Sequence, residues 1–278
     1  MSRSCEVEKC GTMPKCAGCA ANRGAQADAN QGVSRQPVKK VFAVVSGKGG
    51  VGKSSVTALL ASAARRRNLS VGVMDADITG PSMPKMFGTK EPIRGDGEKL
   101  LPARTMTGIE LVSVNLLLES EDTPVIWRGP ILAGVIQQFW NDVRWGNLDV
   151  MFIDMPPGTG DVPLTVFQSL PVDGIIVVTT PQDLVGMIVK KAVRMAGMMN
   201  IPVLGLIENM SFMACPDCGK RLYPFGKGRT EQTAKELGLP LLARLPINPQ
   251  TADLCDTGRI ELADVPEIEP ALDAVLQK

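Results

Sequence analysis

One octapeptide, Gly47-Lys48-Gly49-Gly50-Val51-Gly52-Lys53-Ser54, constrains this chain more than any other stretch, because it fits G-x-x-x-x-G-K-[ST] at every fixed position. Such a loop works between a buried strand and the start of a helix, and both are legible around it. Val41 to Val45 is an apolar run, and Ser54 to Arg66 is an alanine-rich helical segment. Backbone N–H groups at that helix start face a phosphate. Glycines at 47, 49, 50 and 52 let the main chain approach a ligand closely and visit positive φ. Lys53 supplies a point charge for the outer phosphates, and Ser54 a hydroxyl for Mg²⁺. With Val51 and the following Ser55, these residues are the candidate contacts of a nucleoside triphosphate.

From Val38 onward, apolar runs alternate with longer amphipathic segments. Strands are predicted at Val38–Ser46, Val71–Asp75, Ile109–Val114, Val150–Asp154, Gly174–Thr180, Val203–Ile207 and Leu241–Leu245. Helices are predicted at 53–67, 130–143, 182–199, 230–237 and near 267–277. Near-continuous apolar strands separated by helices imply an α/β fold, a doubly wound, mostly parallel sheet covered on both faces. Ligands of such sheets bind beyond the carboxyl ends of the strands, where the informative residues cluster. Residues 1–37 differ: four cysteines precede a stretch rich in Ala, Asn, Gln and Gly, so we expect a cysteine-bearing flexible arm on a domain spanning 38–278.

The 278 residues carry a formal net charge of +1, which asks for neither nucleic acid nor an anionic membrane as partner. The clearest basic cluster, Arg65-Arg66-Arg67, falls at a predicted helix C-terminus and is expected to be solvated there. No apolar stretch approaches the length of a membrane span, so a soluble, cytoplasmic protein is expected. Seven cysteines without a secretion signal point to metal or redox use. Histidine is absent, which removes the commonest catalytic base and the mixed Cys/His zinc sites.

Behind the phosphate loop, Asp75-Ala76-Asp77-Ile78-Thr79-Gly80-Pro81-Ser82 places two carboxylates at a strand end. One is suited to the Mg²⁺ water shell and one to orienting the attacking water. Phe152-Ile153-Asp154 is apolar sequence ending in a carboxylate, a Walker-B pattern with Asp154 for Mg²⁺. The glycine-rich segment Pro156 to Asp161 suits a loop that responds to the γ-phosphate. Lys48 is a second lysine in the phosphate loop, where Coulomb attraction to a triphosphate gives it a use. Lys48 to Ser54 resembles the deviant Walker A of the MinD/ParA superfamily. Asp75 to Ser82, Asp154 to Asp161 and Glu208-Asn209-Met210-Ser211 are similar to the Mrp-type iron–sulfur cluster carrier ATPases within it. The resemblance implies a homodimer in which Lys48 of one subunit reaches the phosphates held by the other. It further implies that Asp77 positions or activates water, Ser54 and Asp154 serve Mg²⁺, and Asn209 contacts adenine. An amide following the strand Val203–Ile207 can also pair with a base in both directions.

Cys215-Pro216-Asp217-Cys218 is a C-x-x-C turn, two thiolates where a closed site needs four. A twofold dimer supplies the missing pair. Mrp-type carriers are similar here, which implies a bridging [4Fe–4S] cluster on Cys215 and Cys218. Half a zinc ribbon and a dithiol redox pair are the competing readings. Cys5, Cys10, Cys16 and Cys19 give C-x4-C-x5-C-x2-C, enough for a second cluster, for zinc, or for a metal-scavenging arm. Cys255 lies in an apolar helical context and is expected to be a small buried hydrophobe. The leading expectation is an ATP-hydrolysing carrier, slow and dimer-dependent, that delivers a cluster to apo iron–sulfur proteins, with a related ATPase subunit as a further partner. The alternatives are a MinD/ParA-type positioning protein whose surface binding is switched by nucleotide, and a cluster-bearing electron donor.

Overall fold

The computed structural model describes residues 36–77, 80, 82–90, 92–117, 129–158, 161–182 and 185–277. The expected arm and its Cys5, Cys10, Cys16 and Cys19 lie outside these residues. Strand β1 (Val38–Ser46) runs into helix α1 (Lys53–Arg66), followed by β2 (Val71–Asp75) and the short α2 (Met83–Phe87). Then come β3 (Arg94–Gly95), β4 (Leu100–Leu101), β5 (Ala103–Arg104), β6 (Glu110–Val112) and α3 (Gly129–Asn141). β7 (Leu148–Asp154), α4 (Asp161–Ser169), β8 (Gly174–Thr179) and α5 (Val185–Met198) lead to β9 (Val203–Ala214). β10 (Arg221–Leu222), α6 (Thr230–Glu236), β11 (Leu241–Pro246), α7 (Pro249–Asp256) and α8 (Glu269–Leu276) complete the order.

The main sheet runs β10-β9-β8-β1-β7-β2-β6-β5, with β11 also on β9. Its inner pairs are all parallel, and only the marginal β10 and β5 run antiparallel to their neighbours. Side-chain alternation divides the strands between two cores. Phe42 and Val44 of β1, Val71 and Val73 of β2, and Val150 and Phe152 of β7 share one core with α1 and α8. Val41, Ala43, Met151 and Ile153 are equally buried on the opposite face. Each such side chain contributes ~1.5–3 kcal/mol, whereas an exposed pair such as Lys39–Asp149 contributes ~0–1 kcal/mol. Apolar burial therefore fixes the sheet.

One strand boundary needs correction. The strand predicted at Val203–Ile207 continues to Ala214, because β11 pairs with it as far as Phe212 and β10 turns back on Met213 and Ala214. Arg65, Arg66 and Arg67 close α1 at a solvated end as expected, Arg66 and Arg67 exposed and Arg65 half-buried, and each also has a partner. Arg65 Nε donates to Thr107 O at 2.6 Å and Arg66 to Ala263 O at 3.1 Å, while Arg67 pairs with Glu269 and Asp273 of α8. The C-terminal end of α1 is thereby tied to α8, whose Ala271, Leu272 and Val275 are wholly buried. No helix among the described residues is long and apolar enough to cross a membrane.

Candidate functional site

Between β1 and α1 the chain turns through Gly50 at φ 78° and Gly52 at φ 76°, conformations that L side chains rarely adopt. A Cβ on Gly52 would also collide with the amide nitrogen of Asn209, so this glycine is required twice over. The space above Gly49 and Gly50 is open. No side chain caps α1, whose first-turn N–H groups stay available to an anion. The cradle fits a phosphate chain.

Beneath the loop, Lys53 lies among carboxylates, and only 6% of its side chain is exposed. Its Nζ is 2.7 Å from Asp154 Oδ1 and 3.9 Å from Asp77 Oδ2. Ser54 Oγ donates to Asp154 Oδ2 at 2.6 Å, and Thr57 Oγ1 donates to Asp154 Oδ1 at 3.0 Å. Asp75 and Asp154 are register partners on β2 and β7, which brings two buried carboxylates side by side. Asp75 is claimed by other partners, accepting from Ser113 Oγ at 3.1 Å and from the N–H groups of Met83 at 3.3 Å and Asp77 at 3.2 Å. The set combines a hydroxyl with carboxylates that outnumber the one ammonium. Hard oxygen donors with excess negative charge suit Mg²⁺. The sequence singled out Ser54, Lys53, Asp77 and Asp154, and they meet here. Thr57 was missed, although its place one turn after Lys53 on α1 was readable.

Burial, and secondarily the charge of Asp154, push the Asp75 carboxyl up to about 8, with Lys53 partly opposing them. Asp154 is likewise raised by burial, with Lys53 pulling it back. The folded state therefore holds protons that the unfolded chain releases from about pH 4 upward. Ligand-free stability is expected to fall as pH rises from about 4 to about 8 and to level off above. Thermal scans of wild type and Asp75→Asn across that range give the check: the variant's melting temperature should fall less steeply. Parallel curves would remove Asp75 as the cause.

Lys48 stands apart from this cluster, its Nζ donating to Gln182 Oε1 just past β8. Asn209 does not follow a strand end but lies within β9, 9% exposed, where its Nδ2 donates to Val51 O at 2.9 Å. Beside it, a cavity of about 280 Å³ opens next to the phosphate loop, walled by Ser55, Leu59, Asn209 and Leu245. Cys255 also lines this cavity, only half buried, with Sγ 4.0 Å from Ser55 Oγ, so the expectation of a plain core residue is corrected. The segment after β7 is stitched to β1 by the N–H of Gly158 donating to Ser46 O at 2.9 Å. Thr159 and Gly160 lie outside the described residues.

Cys215 and Cys218 sit in the tight turn joining β9 to β10, not on a free loop. The N–H of Cys215 donates to Lys220 O at 2.9 Å, and the N–H of Gly219 to Cys215 O at 2.9 Å. Hydrogen bonds from the backbone N–H groups of Cys218 and Asp217 hold the Cys215 thiol below its ordinary range, favouring the metal-binding thiolate. Cys218 is exposed. Among the described residues, no group of three or more His, Cys, Asp or Glu side chains could hold a metal. A four-ligand site on this turn therefore needs thiolates from elsewhere.

An iron–sulfur cluster carrier protein of Clostridium perfringens is 46% identical over 262 residues, which are 91% of this chain and 90% of that one. Among solved structures, a nucleotide-binding protein of Archaeoglobus fulgidus in complex with ADP shares 39% identity at a TM-score of 0.75, over 86% of this chain and 93% of its own. A chain of the MinC:MinD cell division protein complex of Aquifex aeolicus, at 19% identity and a TM-score of 0.61 over 86% of this chain and 94% of its own, shares the fold. Residues 37–278 match the family described as ParA: NUBPL iron-transfer P-loop NTPase, and the chain belongs to that family.

Proposed function

We propose that this protein is an ATP-driven carrier that holds an iron–sulfur cluster on Cys215 and Cys218 and delivers it to apo-proteins. One observation carries the reading. A pair of thiols, one in thiolate-favouring geometry, ends the same strand whose Asn209 is bonded to the phosphate loop. Two copies of the turn supply four thiolates to a [4Fe–4S] cargo, and the homodimer is the assembly that brings them together. The carrier name of the 46% identical relative supports the cargo.

In this reading Lys53 and the first N–H groups of α1 hold the β- and γ-phosphates, and Ser54 and Asp154 hold Mg²⁺. Mg²⁺ held by these two residues would supply charge neutralisation to the phosphate oxygens. Asp77, with 13% of its side chain exposed beside Lys53, orients water for attack on the γ-phosphorus. The bond to the β-phosphate oxygen breaks, leaving ADP and inorganic phosphate. Arrival of the phosphates draws Lys48 from Gln182 toward the nucleotide across the dimer, so turnover is slow and needs both subunits. The Pro156 to Asp161 segment, held to β1 through Gly158, passes the γ-phosphate's loss to the dimer interface.

Asp77→Asn is expected to lower ATP turnover at least ~100-fold while leaving cluster content per dimer unchanged. Phosphate release and iron content measured on one preparation give the check. A variant that hydrolyses ATP at the wild-type rate removes Asp77 from its role. Transfer to an apo-protein whose activity requires a [4Fe–4S] cluster tests the carrier itself. Cargo moves to the acceptor during ATP turnover, whereas an electron donor keeps its cluster. A positioning switch that binds a membrane gains no support from α8, because Ala271, Leu272 and Val275 on its apolar face are buried in the core.

A further inference from the structure

The cysteine turn has two limbs, and both stand in one cavity. On the incoming limb, Asn209 and Met210 line the space beside the phosphate loop, and on the outgoing limb Phe225 does the same. The opposite wall comes from Ser55 and Leu59 of α1, with Leu245 of β11. Apolar walls with a few hydrogen-bonding groups, an aromatic ring among them, suit a flat heteroaromatic base. Two further features mark the limbs as movable. Met210 sits at φ 55°, a left-handed conformation that a non-glycine strand residue rarely holds. Phe225 is 45% exposed, a large ring with contact still to gain.

We propose that Phe225 is a wall of the nucleotide-base pocket and that the cysteine turn senses the base of the bound nucleotide, not its phosphates alone. This deepens the function proposed above and rests on the reading that the cavity receives the base. A base between Leu59 and Phe225 clamps the outgoing limb, while its edge against Asn209 fixes the incoming one. The tip between them loses freedom as a unit. Binding and departure of the nucleotide are then felt at the thiols through a path of side chains distinct from the Pro156 to Asp161 segment.

Cys255 lines the same cavity and serves as an internal reporter. The test follows initial alkylation rates of Cys215, Cys218 and Cys255, resolved peptide by peptide, in the full-length, cluster-free protein with Mg²⁺. Three ligand conditions are compared: none, ATP and inorganic tripolyphosphate. ATP is expected to slow Cys255 and to change the Cys215 and Cys218 rates at least threefold, with tripolyphosphate leaving all three near the unliganded rates. Phe225→Ala and Phe225→Leu alter a half-exposed residue. Both should weaken ATP on the order of tenfold, leave tripolyphosphate affinity unchanged, and abolish the response of Cys215 and Cys218 at saturating ATP. Protection of Cys255 without any change at the turn overturns the coupling but keeps the pocket. No protection of Cys255 overturns the pocket itself. An equal response to tripolyphosphate shows that phosphates alone are sensed and overturns the proposal.

Discussion

Lys53→Met is expected to abolish nucleotide binding and to destabilise the ligand-free protein in a pH-dependent way. The ammonium is almost wholly buried and lies 2.7 Å from Asp154, a carboxylate with no exposed surface. Asp75, 1% exposed, stands beside Asp154 on the next strand, so one buried cation serves a pair of adjoining buried carboxyl groups and the nearby Asp77. Breaking a buried pair by removing one partner costs ~3–5 kcal/mol, because the remaining charge stays desolvated. For a chain of this size that is a fall of roughly 10 °C in melting temperature. Asp154 can escape part of the cost by taking up a proton, since burial already raises it. The loss should accordingly be smaller at pH 6 than at pH 8. Losing a charge-assisted contact in a dry site costs ~3 kcal/mol, more than ~100-fold in affinity. Calorimetric titration with ATP and thermal scans at the two pH values measure both effects. Lys53→Arg should not restore binding, because the planar guanidinium does not fit a space shaped for a point charge. Near-wild-type ATP affinity in Lys53→Met would refute the site.

Cys215→Ala and Cys218→Ala are each expected to remove about one [4Fe–4S] cluster per dimer on anaerobic reconstitution, and the double variant should remove no more. The non-additivity follows from the twofold arrangement. Each single substitution takes two of four ligands from a shared site, and a cubane cluster does not survive on two thiolates. Iron, sulfide and zinc per dimer, measured with and without residues 1–37, separate this turn from Cys5, Cys10, Cys16 and Cys19. Iron that remains in the double variant and disappears with the arm belongs to the arm's cysteines. A wild type that binds only zinc ends the carrier reading and leaves a zinc-stapled nucleotide switch.

The buried part of the fold was legible because parallel strands covered on both faces are apolar almost without interruption. β1 and β2 fall on the predicted Val38–Ser46 and Val71–Asp75. The second half of β9 was not legible, since Glu208, Asn209 and Ser211 look like a polar loop. They sit in a strand because each finds a partner there, although Glu208 Oε2 is left without a hydrogen bond. Ser211 Oγ donates to Glu208 Oε1 at 2.6 Å, Arg244 pairs with Glu208, and Asn209 bonds to Val51. α7 carried a readable signal that went unused: Asn248 caps it by accepting from the N–H of Gln250 at 2.9 Å, and Pro249 follows at the first helical position. At the site, the loop glycines, Lys53, Ser54 and Asp154 were legible from spacing alone. Which carboxylate of Asp75-Ala76-Asp77 faces the loop was not. That depends on Ser113 and Met83 claiming Asp75 from a distance in sequence. Phe225 was equally invisible, because nothing local to it announces a cavity completed by α1 and β11.

β9 is gripped on both sides only through its first half: β8 accompanies it to Glu208, β11 to Phe212, and beyond that point only β10 remains. The strand is in effect a cantilever rooted in the nucleotide machinery with its thiols at the free end. A change in length or chemistry between Ala214 and Arg221 shifts no register in the central sheet. The tip is consequently the part that variation can rework most cheaply, giving one nucleotide engine a succession of different tool heads.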